Sequence, residues 1–573
     1  MSSTTKAATD NDAGADNSDP YQIIKEGTVE MKYPADQESA VFYNPVQVQN
    51  RDLSILMITV AAEERAVRRA VARKRAQLRQ DKVKDWRDVL RVYQDSLDPS
   101  QVLNEQCSKD EGLDIIDALA ASGLRSIRYW NEIPGVRNVT INDLEAVAVE
   151  RAHQNLKHNE VDQHVVLTGG DSDSGNERRP AGIRVQQGDA IHELYTSRPS
   201  TVGSSSNNKP PWDVIDLDPY GSAAPFLDAS VQAIADGGLL CVTCTDMAAL
   251  GGSHPETCYG RYAAMPLQRA GYLQEMALRI LLQSLATTAA KYGRTITPRL
   301  SVGMNFYIRC FVTVHDDKAG VANLALSIGK VFQSTQCSSF VIVPECQMGG
   351  KKGTVFQAAR APGSCQETGA NYKIGGPMWL GALHDAEWIQ RGLQKLESND
   401  PAIKPDLKYI ATRDRLRGLL KNCAEELPDA PLFYKISDMA SLLKTSAPPL
   451  NDIRAALMNA GYRVSGYHKD PQAIKTNAPD HVMWDILRAW CQKMPPAKPP
   501  AEGTAGAMIL SKKSQIEVDF THPKDGFPKK SDVARFPENP EAGWGPKRAA
   551  AGYKKRKIEE PHEKKDTNKE AKK

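Results

Sequence analysis

The stretch Trp212-Asp-Val-Ile-Asp-Leu-Asp-Pro-Tyr-Gly221 places a buried-strand pattern directly before an acidic turn that carries an aromatic side chain. The apolar strand residues are Val214, Ile215 and Leu217. Pro219 cannot donate a hydrogen bond to a sheet and Gly221 permits a sharp turn, so the pattern predicts a strand that ends near Asp218. A carboxylate and a phenol should therefore stand at the carboxyl end of this strand.

The chemistry of this turn is open to more than one interpretation. Ligands of open parallel sheets bind at the carboxyl ends of the strands, and the ring of Tyr220 suits a flat partner such as a nucleic-acid base. Asp-Pro is also a common way to open a turn, which would make the motif purely structural. Asp216 and Asp218 share one face of the strand, so they could instead hold a divalent metal ion.

Three upstream segments repeat the pattern of a strand that ends in an acid. Gly112–Arg125 reads as a strand, a turn of small residues and a helix; Val139–Glu145 is a second strand, with Asp143 following Gly123 by 20 residues. A carboxylate at this spacing typically meets ribose hydroxyls. Ile183–Ala190 is a third strand that reaches Asp189, but the three-glycine dinucleotide pattern is missing. The series predicts an α/β fold with a doubly wound, Rossmann-like sheet and an acidic ligand-binding edge.

The motifs together resemble a known enzyme family. They are Phe42-Tyr-Asn-Pro45, Asn50-Arg51-Asp52, Asp117-Ala-Leu-Ala-Ala-Ser-Gly-Leu-Arg125, Asp218-Pro-Tyr-Gly221 and Gly376-Pro-Met-Trp-Leu-Gly381. In this combination the sequence is similar to the tRNA (guanine-26) dimethyltransferases, which are class I S-adenosylmethionine-dependent methyltransferases. The resemblance extends from about Tyr21 to Lys493.

The resemblance implies a role for each matching residue. The cofactor S-adenosylmethionine would be bound through its methionine carboxylate, ribose and adenine, and the residues implied are Arg51, Asp117, Arg125, Asp143, Asp189 and Ala190. Of these, Arg51 and Arg125 would meet the carboxylate end, Asp143 the ribose, and Asp189 with Ala190 the adenine. Asp218 would be catalytic, helped by the Pro219 carbonyl, while Tyr220 would stack on a guanine taken out of the RNA helix.

The chain divides into four predicted regions. These are a disordered acidic N-terminus (1–20), a methyltransferase domain (21–318) with a basic helical insertion (61–110), a smaller α+β C-terminal tRNA-binding domain (319–494) and a disordered basic tail (495–573). Tyr434–Tyr467 reads as two helices and a strand in the order of a winged helix. Its candidate RNA-binding residues are Arg454, Arg463, His468 and Lys475, although ordinary surface charges on a stable domain remain the alternative.

Charge is distributed unevenly along the 573 residues. The net charge is only +3, but residues 543–573 hold 11 Lys/Arg against 5 Asp/Glu. The remainder is therefore slightly acidic, and binding of tRNA must use local basic patches. One such candidate is the helix predicted from Ala61 to Gln80, for which a solvated basic face is the alternative. No obligate protein partner is evident from the sequence.

Composition indicates a soluble intracellular protein. No apolar run approaches the roughly 20 residues of a membrane span, and no secretory pattern opens the chain. The ten cysteines are scattered, which is typical of reduced thiols. The basic run Lys554–Lys557 predicts a nuclear location, and Met31 could serve as an internal start for a mitochondrial form; the cytoplasm is a further possibility.

The cysteines predict no metal site. Cys241 and Cys244 should point to opposite faces of a buried strand. Relatives often carry two cysteine pairs before the Gly-Pro-Met-Trp motif, which suggests zinc, but here Cys346 and Cys365 each stand alone and Cys337 lies nine residues upstream of the first. Two alternatives to methyl transfer stay open: a metal-dependent transferase using the Asp-x-Asp pair, and a non-catalytic tRNA-binding or folding protein.

Overall fold

The computed structural model describes residues 21–34, 43–107, 111–166, 179–197, 210–349, 355–397, 407–524, 527 and 531–540. Among them, the helices are too short or too polar to cross a lipid bilayer. The predicted N-terminal disorder at 1–20 and the basic run Lys554–Lys557 lie outside these residues.

The chain begins with an antiparallel hairpin, followed by three helices. These elements are β1 (Tyr21–Glu26), β2 (Val29–Pro34), α1 (Val48–Gln80), α2 (Trp86–Asp95) and α3 (Pro99–Cys107). The first half of α1 is buried along the run Asn50–Val60, where it packs in the core. The predicted basic helix is therefore the outer half of one 33-residue helix whose inner half is apolar.

A seven-stranded mixed sheet forms the centre of the molecule. Its strands and helices are β3 (Leu113–Asp117), α4 (Leu124–Glu132), β4 (Val136–Asp143), α5 (Ala146–His158), β5 (Gly182–Gln187), α6 (Ala190–Thr196), β6 (Trp212–Leu217), α7 (Ala224–Ala233), β7 (Ile234–Cys244), α8 (Met247–Leu250), α9 (Pro255–Tyr262), α10 (Leu273–Ala290), β8 (Arg294–Gly303) and β9 (Ile308–Asp316). The strand order is β5-β4-β3-β6-β7-β9-β8, with β9 antiparallel to both of its neighbours and the other contacts parallel. This confirms the predicted doubly wound sheet and places its switch point between β3 and β6.

Alternate residues of the central strands enter different cores. Ile115 and Val214 pack on the side of α1, whereas Ile116 and Ile215 pack on the side of α7 and α10. A sheet covered on both faces needs such apolar runs because successive side chains point in opposite directions. Cys241 packs on one face of the sheet and Cys244 on the other, as predicted.

The C-terminal half contains several small sheets and helices. They are α11 (Lys318–Val321), β10 (Ile328–Ser334), β11 (Phe340–Pro344), β12 (Cys346–Gly349), β13 (Val355–Ala358), β14 (Tyr372–Trp379), α12 (Ala386–Glu397), α13 (Arg413–Glu425), β15 (Tyr434–Lys435), α14 (Ile436–Leu442), α15 (Leu450–Asn459), β16 (Val464–Tyr467), β17 (Asp470–Thr476), α16 (Asp480–Lys493) and α17 (Ala505–Ser511). Short 3-10 turns lie at Pro45–Gln47, Asp162–His164, Leu324–Leu326 and Leu407–Tyr409. The run α13-β15-α14-α15-β16-β17, with sheet order β15-β17-β16, has the element order of a winged helix.

Two predicted boundaries need correction. The prediction that a separate domain begins at 319 overlooks α12 and α13, whose apolar residues share one core with α1, including Leu393 and Leu420. The prediction of a disordered tail from 495 is wrong for its first part. Residues 505–511 form α17, and later residues dock on the surface: Asn459 donates to the carbonyls of Asp519 and Thr521, each at 2.9 Å.

Candidate active site

The turn after β6 is fixed to the neighbouring strand end. Gly221 has a φ of +88° and donates its N–H to Thr245 Oγ1 at 2.7 Å, while the Thr245 N–H returns a bond to the Gly221 carbonyl at 2.8 Å. A positive φ is the conformation that favours glycine. The turn buries Pro219 and leaves Tyr220 77% exposed at the sheet edge.

Asp216 and Asp218 occupy different environments. Asp216 is fully buried, and both its oxygens accept bonds from Arg309 at 2.8 Å, with a further bond from the Tyr129 hydroxyl. Arg309 and the other donors hold the pKa of Asp216 below its ordinary value, although burial opposes ionisation. Asp218 retains 18% side-chain exposure. Since the Asp216 carboxylate is occupied by protein donors, the pair does not form the predicted alternative of an Asp-x-Asp metal site.

Arg125 joins the two carboxylates from the neighbouring helix. Its guanidinium forms an ion pair with Asp218, lies 3.5 Å from Asp216 and donates to Ser54 Oγ at 3.1 Å. Burial disfavours its charge, yet the adjacent carboxylates hold the pKa of Arg125 well above its usual range. We call the residues Asp117, Arg125, Asp216, Asp218 and Arg309 the edge cluster.

The remaining acids predicted for the cofactor follow the same edge. Asp117 is buried and accepts a bond from Ser126 Oγ at 2.7 Å; burial and Asp216 raise its pKa to about 7. Asp143 accepts backbone N–H groups of Ala121 at 2.8 Å and Glu145 at 3.0 Å. The structure thus brings the ends of β3 and β4 together with the Asp218 turn.

Asp189 and Ala190 mark the start of α6, next to the end of β5. The Asp189 side chain accepts the N–H of Ile191 at 2.8 Å as the helix N-cap, and Ala190 is buried. Asn142 ties this region together because its amide donates to the carbonyls of Ala118 at 2.9 Å and Gly188 at 3.1 Å. Sequence reasoning missed Asn142, since nothing in its local pattern marks a side chain that spans three strands.

Arg309 and Tyr129 were also missed from the sequence. Arg309 lies inside the apolar strand β9 and is fully buried, and Tyr129 lies on α4. An arginine within a run of apolar strand residues was the available signal, because a buried guanidinium requires a carboxylate partner. Which carboxylate it meets depends on β6 and β9 lying on opposite sides of β7.

The family model for N2,N2-dimethylguanosine tRNA methyltransferases matches residues 22–488. The chain belongs to this family. It is 37% identical to a tRNA (guanine(26)-N(2))-dimethyltransferase of Mus musculus over 94% of the chain and 78% of the relative, and 37% identical to one of Schizosaccharomyces pombe over 90% of each. A mitochondrial relative from Saccharomyces cerevisiae is 31% identical over 93% of the chain and 92% of the relative.

A solved structure has the same architecture. Trm1 from Pyrococcus horikoshii, in complex with S-adenosyl-L-methionine, matches with a TM-score of 0.58 and 25% identity, covering 81% of this chain and 99% of that one. At 81% of this chain, the match extends well beyond the central sheet. It places this family member's C-terminal half within the same overall fold.

Arg51 of this family member has a carboxylate partner within the protein. Its guanidinium donates to Glu26 at 2.6 Å and 2.5 Å, and Glu26 also accepts from Arg128 at 2.8 Å. These arginines lower the pKa of Glu26 against the effect of burial. The role of Arg51 toward the cofactor stays a prediction.

The predicted RNA-binding residues divide into buried and exposed ones. Lys475 is 1% exposed and bonds Glu275 at 2.8 Å, and His468 is 3% exposed and bonds Glu426 at 2.7 Å. The prediction that these two face RNA is therefore wrong, because the wing turns them inward against the methyltransferase domain. Arg463 is exposed and pairs with Asp429, while Arg454 is half-buried on α15.

The inward-facing residues belong to a second ionic group, which we call the junction cluster. Its members are Glu275, Arg279, His384, Glu426, His468 and Lys475. With Cys423, the two histidines and Glu426 place four possible metal ligands within 4.8 Å. The hydrogen bonds oppose a metal: His468 Nε2 accepts the Gly303 N–H at 2.9 Å and His384 Nδ1 accepts the Ser301 N–H at 3.4 Å. Each ring must then direct its own N–H toward Glu426, whereas metal-bound histidines donate outward.

The basic second half of α1, a candidate for RNA contact, uses part of its charge inside the protein. Arg65 and Arg69 pair with Asp213 at the start of β6, and Arg73 pairs with Glu111 just before β3. These contacts lie at the opposite edge of the sheet from Asp218. Part of the helix's basic charge therefore anchors α1 to the sheet and is not displayed toward RNA.

Proposed function

We propose that this chain transfers methyl groups from S-adenosylmethionine to the exocyclic N2 amine of guanine 26 in tRNA, with Asp218 as the catalytic carboxylate. The observation that carries the proposal is the position of Asp218 in a family member. It is the partly exposed end of an otherwise buried ionic cluster, at the sheet's switch point and two residues before the exposed Tyr220.

The reacting amine explains the need for a carboxylate. An aromatic amine is a poor nucleophile because its lone pair is delocalised into the ring. A carboxylate that accepts one N–H orients the remaining lone pair and stabilises the positive charge that develops on nitrogen. Arg125 and the backbone of the fixed turn hold Asp218 in place, and the Pro219 carbonyl offers a second acceptor beside it.

The cofactor site is assigned to the acids of the same edge. Bound S-adenosylmethionine supplies an electrophilic methyl group on a sulfonium centre. Asp143 would accept the ribose hydroxyls and the Asp189–Ala190 turn would receive the adenine. The Asp143 carboxylate is already oriented by the N–H groups of Ala121 and Glu145, which is the preorganisation such a contact requires. Arg125, and Arg51 if it exchanges Glu26 for the ligand, would meet the methionine carboxylate.

The grip on tRNA is assigned to exposed basic residues of the C-terminal half. Arg463 is the best placed of the predicted residues, because it lies on the surface beside the wing. Arg454 would contribute less because it is half-buried. Nuclear import through Lys554–Lys557 belongs to the same proposal, and the mitochondrial relative makes a second location worth testing.

Asp218→Asn tests the proposal directly. The substitution keeps the size and one acceptor oxygen but removes the charge that balances the developing cation, so single-turnover methylation of an unmodified tRNA transcript should fall roughly 100- to 1000-fold. Affinities for tRNA and cofactor should stay within about twofold, since both substrates keep their other contacts. Mass spectrometry of tRNA nucleosides identifies the product.

Asp414→Asn is the matched control because Asp414 is 79% exposed on α13. It should methylate at the wild-type rate. A normal rate in Asp218→Asn would make the turn structural. Binding of tRNA by the wild type without any methylguanosine product would instead support a non-catalytic tRNA-binding protein.

A further inference from the structure

Two cysteines from separate turns are in contact in the C-terminal half. Cys337 Sγ lies 3.6 Å from Cys365 Sγ and 3.3 Å from Ser334 Oγ, and Thr368 stands beside Cys365. The four positions follow a Ser-x-x-Cys and Cys-x-x-Thr spacing. Two thiols and two hydroxyls thus fill a place where two Cys-x-x-Cys loops would converge on a metal ion.

Cys346 is not part of this contact. Cys346 lies on β12, and its thiol donates to the Gln347 carbonyl at 3.7 Å. Only two thiols are left at the convergence point among the described residues, and hydroxyls are poor ligands for a soft-metal site that normally has four protein ligands. The donor set therefore fits sulfur chemistry without a metal.

We propose that Cys337 and Cys365 form a reversible disulfide when this protein meets a hydroperoxide. Their turns are already held in place: Gln333 Nε2 donates to the Cys337 carbonyl at 2.9 Å, and the Cys365 N–H donates to the Ala370 carbonyl at 2.9 Å. Cys337 is partly exposed, which gives a small oxidant access, whereas Cys365 is 2% exposed. This inference does not rest on the proposed function.

The reaction balances with hydrogen peroxide as the oxidant. The thiolate of one of the two cysteines attacks one peroxide oxygen, the O–O bond breaks, and a sulfenic acid forms while the departing hydroxide takes a proton from solvent and leaves as water. The other cysteine then attacks that sulfur, the S–O bond breaks, an S–S bond forms and a second water leaves. The 3.6 Å separation of the two sulfurs lets either cysteine resolve a sulfenic acid on the other.

The bond would form where two parts of the C-terminal half meet. Next to Cys337, Ser339 accepts the indole N–H of Trp484 at 2.8 Å; near Cys365, Glu367 pairs with Arg488 at 3.0 Å. Trp484 and Arg488 both lie on α16, whereas the Cys337 turn follows β10 and the Cys365 turn precedes β14. A disulfide would therefore restrain the two turns that contact α16.

The test uses the full-length, reduced protein. After hydrogen peroxide, the wild type should lose two alkylatable thiols and two hydrogen masses, and a tryptic peptide should link Cys337 to Cys365; dithiothreitol should reverse both changes. Cys346→Ser should behave the same way. Cys337→Ser and Cys365→Ser should each lose the link, and dimedone should trap a sulfenic acid on the cysteine that remains in at least one of them.

Two results would overturn the proposal. One is a wild type in which the thiol of Cys346 oxidises while Cys337 and Cys365 remain alkylatable. The other is a Cys337→Ser variant that still forms an intramolecular disulfide through Cys365. Because the first result needs only the wild type, a folding defect in a variant would not leave the question open.

Discussion

The edge cluster and the junction cluster are both buried networks of charge, but only the first has an exposed end. The edge cluster places three carboxylates around two guanidinium groups and ends at Asp218, which is 18% exposed. The junction cluster pairs Glu275 and Glu426 with Arg279 and Lys475, whose side chains are all buried. The edge cluster therefore continues to the surface, whereas the junction cluster is closed off inside the protein.

The edge cluster and the junction cluster also differ in their balance of charge. With one carboxylate in excess, the edge cluster raises the pKa of Asp117 to about 7, chiefly through burial and then Asp216. In the junction cluster burial opposes ionisation too, but His468, Lys475 and His384 hold the pKa of Glu426 well below its usual range. Ionisation at neutral pH should thus be costly for Asp117 and stabilising for Glu426.

Lys475→Met should have the largest effect on stability. It removes one partner of a buried ion pair and leaves Glu275 and Glu426 undercompensated, so the free energy of unfolding should fall by about 3–5 kcal/mol in urea titrations. Arg463→Met is the control, since it breaks only an exposed pair and should cost no more than about 1 kcal/mol. Weaker tRNA binding by Lys475→Met at unchanged stability would instead show that Lys475 contacts RNA.

Asp117→Asn should change how stability depends on pH. Because the pKa of Asp117 is raised to about 7 in the folded state, the stability that its protonation contributes is present below about pH 4 and lost as pH rises to 7. The amide should thus stabilise the cofactor-free protein at pH 8 relative to pH 4 by about 2–4 kcal/mol. Urea unfolding at several pH values would measure it, with Asp414→Asn as a control of unchanged slope. If the difference in unfolding free energy between variant and wild type did not change with pH, the edge cluster would be as balanced in charge as the junction cluster.

Asp143→Ala asks whether the edge cluster continues into a ligand site. Loss of a charged acceptor for two ribose hydroxyls should weaken S-adenosylmethionine binding by about 1.5–3 kcal/mol in calorimetry. Affinity for tRNA should change little. Glu145→Ala, an exposed neighbour, should bind the cofactor normally. Equal cofactor affinity in both variants would remove the ribose assignment.

Tyr220→Ala probes the solvent end of the same cluster. Losing a stacking surface should cost about 1–3 kcal/mol in holding the extruded guanine, while the carboxylate of Asp218 remains available. Fluorescence of a base analogue at the target position would report capture. Tyr259→Ala is the control because Tyr259 is 59% exposed on α9. The interpretation would fail if both variants captured the base like the wild type.

The sequence predicted most of the edge cluster because strand polarity leaves little freedom. Parallel strands that end in acids must present those acids at one edge, so Asp117, Asp143 and Asp218 could be placed together before any contact was known. Arg309 could not, because its carboxylate lies 93 residues away in the chain. The pairing depends on the order of β6, β7 and β9 in the sheet, which local patterns do not encode.

The sequence alone determined the sheet, its acidic edge and the family. These follow from short-range patterns of apolar residues, turns and motifs, which report directly on local structure. Tertiary structure decided which charges are internal. Lys475 meets Glu275 across 200 residues, and Arg51 meets Glu26, because packing brings remote segments together and a buried charge is stable only beside its partner. The same packing placed Cys337 against Cys365 and left Cys346 apart.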